Sequence, residues 1–263
     1  MNPSGEAICA FEYYDGIGNF IWAVRQTPYG AWSYPPDQIS FSQTDQDIRL
    51  AINANGDAVA IWNDLNGANA EVYAARFTGE AWQVPQLISA AAGFDSYVGG
   101  VAIDASGTAT IVWEAPTMLS SSQIQTRTLS NAGVLTPIVP ITPNEIAPIS
   151  TGKSKVAVDP SGYAVAVWRR ISSGIFTVQT ASRTGGVWSA PFDLSDGLTN
   201  SEDPSVAVDG SGNAVAVWRQ LDGGFFRVKA RTLPFGGAWS ALATLSPAGV
   251  SSARISLSMN STR

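Results

Sequence analysis

The chain has 263 residues and 45% apolar content, enough for a sizeable core, while 14% charged residues beside 25 glycines and 15 prolines suit short strands and tight turns better than long surface helices. A net charge of −6 leaves no basic field for nucleic acid or an anionic membrane. The absence of histidine excludes Ser-His-Asp and Cys-His catalysis and imidazole-held zinc or iron, and one cysteine makes no internal disulfide. No apolar run is long enough for a transmembrane helix, and the first twenty residues lack the basic start and apolar stretch of a signal peptide.

Read in chain order, one unit recurs. LAINANGDAVAIW at 50–62 returns as VAIDASGTATIVW at 101–113, VAVDPSGYAVAVW at 156–168 and VAVDGSGNAVAVW at 206–218, and Asn2, Gly5 and Phe11 place the opening residues in the same frame. Each copy runs Asn or Asp, then Gly three later, then an aromatic six after that. A second signature, an aromatic, two intervening residues and then a proline, follows at Trp32–Pro35, Trp82–Pro85 and Trp188–Pro191 and is degraded at Val134–Pro137 and Trp239–Leu242. The last copy divides into strand-length runs at 205–209, 214–219, 225–231 and 239–245.

Four short strands in each of five units of about fifty residues predict a five-bladed β-propeller of four-stranded antiparallel blades. The expected blades are 2–40, 47–89, 98–142, 153–195 and 203–246, with Arg254–Ser258 matching the inner strand Ser205–Asp209 and closing the ring on blade 1. A piece of a longer array would read the same way. The recurring Asn or Asp at 2, 53, 104, 159 and 209 is expected to hold a turn in which Gly takes positive φ, since a calcium loop needs more carboxylates. Trp62, Trp113, Trp168 and Trp218, with Phe11, are expected to fill the space between blades, and Cys9 to be a small buried apolar residue.

Positions that differ between copies are the candidates for function. Directly after the repeated aromatic stand Glu12, Asn63, Glu114, Arg169 and Arg219, and the inner strands begin near Arg49, Gly100, Lys155, Ser205 and Arg254. Both sets fall on one face of the disc, with Tyr13 and Tyr14 in the adjoining loop. Arg49, Lys155 and Arg254 are candidates for an anion in the central channel. If Arg169 and Arg219 are free to bind, alanine at both positions weakens ligand binding and leaves the melting temperature nearly unchanged.

The V-A-V-D-x-x-G-x-A-V-A-V-W stretch followed by G-x-W-S-x-P resembles the repeat of bacterial BNR or sialidase-like propellers, over nearly the whole chain. The Asp box of sialidases lies between strands three and four, whereas here Asp and Gly fall between one and two. The architecture also resembles five-bladed lectins of the tachylectin-2 type, and the aromatic, Arg and Glu content resembles fucose-binding propellers. The resemblance implies a noncatalytic, monomeric binding module without metal or cofactor, exported or on a bacterial surface, that takes a glycan or docks a protein on the variable face. The alternative is a glycoside hydrolase, which needs two carboxylates facing each other in the channel. Asp47 and Asp203 are its inner-strand candidates.

Overall fold

A computed structural model describes residues 1–65, 67–90, 93–118, 121–143, 145–146, 154–252 and 254–259, and these contain strands and no helix. They form five antiparallel sheets, numbered blades 1 to 5 along the chain. The inner strands of blades 2 to 5 are Asp45–Ile52, Tyr97–Ile103, Lys155–Val158 and Ser201–Val208. Their second strands, Ala58–Asp64, Ala109–Met118, Ala164–Ser172 and Ala214–Asp222, pair in turn with Glu71–Phe77, Ser121–Leu129, Ile175–Thr184 and Phe225–Leu233. The outer strands are far shorter than the expected 239–245: in blade 5 only Ala243–Thr244 forms a ladder, with single bonds from Ser240 to Thr232 and from Leu245 to Val228, both at 2.8 Å, on either side of it.

Side-chain alternation sorts the two faces of each blade. In blade 2, Ala60 and Trp62 pack on Ile21, Ala23 and Ile39 of blade 1, whereas Val59 and Ile61 pack on Ala109, Ile111 and Trp113 of blade 3. The repeated tryptophan therefore faces the preceding blade in blades 2 to 5. Trp62, Trp113, Trp168 and Trp218 are all buried, as a large ring between twisted sheets should be.

The Asn/Asp-Gly turns behave as the sequence predicts. The Asn53 Oδ1 accepts from the N–H groups of Asn55 and Asp57, both at 3.0 Å, and Gly56 closes the turn at φ 87°. Asp159 and Asp209 repeat the bonds at 2.8 and 2.9 Å. The Asn53 amide also donates to the Asp104 carbonyl at 3.1 Å, so one residue fastens its turn to the next blade. Gly99 and Gly100 answer a steric demand: a Cβ on Gly99 would lie 2.8 Å from the Val112 carbonyl oxygen, and one on Gly100 would lie 3.1 Å from the Val156 nitrogen.

Blade 1 differs from the others. Its strands Ala7–Tyr14, Asn19–Gln26 and Asp37–Gln38 form a three-stranded sheet, and Arg254–Ser258 lies in no ladder. Exposure still alternates along that segment, with Ile255 and Leu257 half-buried and Arg254, Ser256 and Ser258 exposed. The inner strands of blades 2 to 5 touch consecutively and Ala7–Tyr14 touches Asp45–Ile52, but no contact of that extent joins Ser201–Val208 to Ala7–Tyr14. Cys9 corrects the expectation: it occupies the position of the buried Ala60 and Ala216, yet it is exposed.

Candidate functional site

The residue after the repeated aromatic must face the following blade, because neighbours in a strand point to opposite sides. Two of the five do the same job there. The Glu12 carboxylate accepts the Asp47 N–H at 2.6 Å, and the Asn63 Oδ1 accepts the N–H of the equivalent Val98 at 3.0 Å. Asn63 also donates to the Ser96 carbonyl at 2.6 Å and is 2% exposed. These side chains clip one blade to the bulge at which the next inner strand begins; the register slips there in blades 2, 3 and 5, and Asp47 and Asp203 take positive φ. Asn63 and the 4%-exposed Glu114 are thus corrected from candidate ligand contacts to buried residues of the blade interfaces.

The structure does bring Glu114, Arg169 and Arg219 into one electrostatic neighbourhood. Arg219 bonds to Asp203 through two nitrogens, reaches Glu202 at 3.2 Å and the Ser252 carbonyl at 3.2 Å, and lies over the Phe226 ring at 5.0 Å. Arg169 stacks over Phe176 at 4.2 Å. Burial pushes the Arg169 guanidinium below its ordinary pKa, against the opposing fields of Glu202, Asp203 and Glu114. Asp203 is therefore engaged by arginine, whereas the bond between Glu12 and Asp47 is made by the Asp47 backbone N–H. Arg49 turns back to the Ile48 carbonyl at 2.8 Å, Lys155 reaches the Gly99 carbonyl at 3.5 Å, and Arg254 is exposed in the segment outside the ladders. Tyr13 and Tyr14 are exposed, and Tyr13 meets Trp22 edge-on at 6.0 Å.

Clefts open between blades. Two lie on the variable face at matching register: about 180 Å³ between blades 1 and 2, with Asp45, Asp64 and Tyr73, and about 210 Å³ between blades 2 and 3, with Ser96, Ala115 and Gln125 in the equivalent places. The buried indole N–H behind these positions has a different partner in each blade. Trp62 donates to Asp45 at 3.0 Å, Trp168 to Gln179 at 3.2 Å and Trp218 to Gln220 at 3.2 Å, whereas the Trp113 nitrogen is buried without one.

A cleft of about 480 Å³ lies on the opposite face, between blades 4 and 5. Tyr163, Phe192, Phe235 and Trp239 supply rings, and Ser182, Thr184 and Ser189 supply hydroxyls. Tyr163 and Phe235 meet perpendicularly at 5.1 Å, and the Phe235 N–H donates to the Asn213 side chain at 3.1 Å, which ties the aromatic loop to the Asp209 turn. Burial raises the Tyr163 phenol above its usual pKa and Ser182 opposes that shift, so the phenol is neutral at physiological pH. None of the described lining residues is charged. Such a wall of rings and hydroxyls can stack on the apolar faces of a sugar ring and hydrogen-bond its edge.

Sequence reasoning missed this cleft, although it left a signal. Tyr163 follows the turn glycine where the other copies carry Glu6, Asp57, Thr108 and Asn213, and Trp239 belongs to the copy that lost its proline.

No protein-family model matches the chain, and no curated protein matches it in sequence. Among solved structures, an ulvan lyase bound to a GlcA–Rha3S saccharide superposes with a TM-score of 0.58 at 8% identity, over 92% of this chain and 68% of that one. A Hadza microbial sialidase gives 0.55 at 16% identity over 93% and 57%, and the fungal lectin of Aleuria aurantia, a six-bladed β-propeller with a fucose-recognition site, gives 0.51 at 14% identity over 94% and 82%. The chain spans 57% of that sialidase and 59% of the NanB sialidase of Streptococcus pneumoniae, little more than half of either. At these identities the likeness defines the fold: the protein is of the β-propeller class, with sialidases and propeller lectins among its structural neighbours.

Proposed function

We propose that this protein is a noncatalytic, lectin-like propeller that binds a neutral sugar residue in the cleft between blades 4 and 5. The observation that carries the reading is the aromatic lining of that cleft, with hydroxyls and no charged group among its described walls. The fucose recognised by the Aleuria lectin, a neutral sugar, agrees with this reading. Engagement of the Asp203 carboxylate by Arg219 supports the noncatalytic half. A glycan-array screen tests it, with a specific signal expected on neutral saccharides and a blank array counting against it. Exposed Tyr13 and Tyr14 favour protein docking on the variable face as the second reading.

Closure as five blades belongs to the same proposal. In blades 2, 4 and 5 the inner-strand partners of Ala60, Ala166 and Ala216 are Leu50, Val156 and Val206, and the equivalent pair in blade 1 is Cys9 with Ile255. Residues opposite each other in an antiparallel pair sit about 4.5–5.5 Å apart at Cα, within disulfide range. Ile255→Cys should therefore form an intramolecular disulfide with Cys9 under mild oxidation, read by mass spectrometry and non-reducing electrophoresis. Only intermolecular dimers would count against closure by this strand.

A further inference from the structure

The cleft between blades 1 and 2 differs chemically from the other two. Asp45 and Asp64 face each other across adjacent strands, and Phe41, Trp62 and Tyr73 line the same space. Asp45 is completely buried: one carboxylate oxygen takes the Trp62 indole N–H at 3.0 Å, and the other has no hydrogen-bond partner. None of the described lining residues is basic. A buried carboxylate with an unsatisfied oxygen is costly unless it is protonated or meets a cation.

Protonation is the resolution in the free protein. Burial, with a smaller contribution from Asp64, pushes Asp45 up to about 7, against the lowering effects of Ser40, Trp62 and the Ser42 backbone. The other titratable groups facing this space are Tyr73, whose phenol is raised by burial and by Glu71, Asp64 and Asp45, and Glu71 itself, which accepts from the Tyr73 hydroxyl at 3.4 Å. Net negative potential at the cleft wall therefore favours a cation. The Trp62 and Tyr73 rings, stacked 6.5 Å apart, offer faces and edges suited to an organic ammonium group. No group of three or more metal-ligating side chains converges among the described residues, which disfavours a metal ion as the occupant.

We infer that this cleft is a second binding site, distinct from the cleft between blades 4 and 5, that takes the ammonium group of an amino-sugar residue between Asp45, Asp64 and the flanking rings. Its volume of about 180 Å³ suits the amine-bearing edge of one sugar residue rather than an extended chain. The choice of an amino sugar rests on the carbohydrate-binding reading; the ammonium specificity rests on the cleft alone.

The test is calorimetric titration of the whole protein with glucosamine, N-acetylglucosamine, glucose and propylamine. Glucosamine should bind at least about tenfold more tightly than its N-acetyl form or glucose, because only the free amine brings a positive charge to the Asp45 carboxylate. Affinity should fall by up to about tenfold for each pH unit below about 7, as protons compete for Asp45. Asp45→Asn and Asp64→Asn should each remove the preference for the amine, and either one suffices if the other fails to fold. Equal binding of glucosamine and glucose, or an unchanged preference in both variants, would overturn the site. Binding of propylamine without glucosamine would overturn its assignment to an amino sugar. Repeating the titrations in Trp239→Ala, which disables the cleft between blades 4 and 5, should leave the preference for glucosamine over glucose in place, so failure of one reading is separable from failure of the other.

Discussion

Replacing Trp168 by alanine should destabilise the protein by about 3–5 kcal/mol, the usual cost of removing a buried aromatic side chain. Trp168 is 2% exposed and packs with Val112, Ile124, Ile141 and Val156, so its ring joins blade 3 to blade 4. Its removal also strands the Gln179 carbonyl that accepts the indole N–H, while the Gln179 amide remains committed to Asp193 at 2.8 Å. Urea denaturation should show a lower midpoint with little change in slope. Trp32→Ala is the comparison: that ring is 47% exposed, and its loss should cost less than about 1 kcal/mol. Equal costs for the two variants would contradict the packing between blades.

Arg219→Ala should cost about 2 kcal/mol, between the small value of an exposed ion pair and the 3–5 kcal/mol of a fully buried one. The Arg219 side chain is 16% exposed, with Glu202 at 24% and Asp203 at 28%, so solvent screens only part of the loss. Truncation leaves two adjacent carboxylates repelling each other, frees the Ser252 carbonyl and uncovers Phe226. The expectation that alanine at Arg169 and Arg219 leaves the melting temperature unchanged therefore gives way to a measurable fall. Asp203→Asn added to Arg219→Ala should recover part of the loss by removing one unpaired charge. No recovery would mean that the ion pair is not what Arg219 contributes.

The blade repeat was readable because packing imposes it on every copy. A tryptophan facing the preceding blade and an Asn or Asp bonded to its own turn recur with the fold, so periodicity exposes them. The variable face was harder to read. Variation after the tryptophan suggested ligand contacts, but two-residue alternation points that position into the next blade, where Glu12 and Asn63 meet the backbone of Asp47 and Val98. Asp45 precedes the bulge and falls outside the aligned core of the repeat, so its burial against Trp62 had no sequence signature. The cleft between blades 4 and 5 joins Tyr163 to Phe235, residues of two different units, and a comparison of units one beneath another does not pair them. Alignment carries over the position of Cys9 in its strand and not its surroundings, so its exposure had no sequence signature.

The most direct test of carbohydrate binding is titration of the neutral glycan selected on the array into the native protein and into Trp239→Ala. Saturable binding should weaken by at least about tenfold in the variant, since an aromatic face that anchors a ligand dominates small interfaces. The melting temperature should stay close to native because Trp239 is only half-buried, and the glycan should be recovered intact. Equal affinity in the two proteins, or cleavage of the glycan by the native protein, would contradict a noncatalytic site between blades 4 and 5.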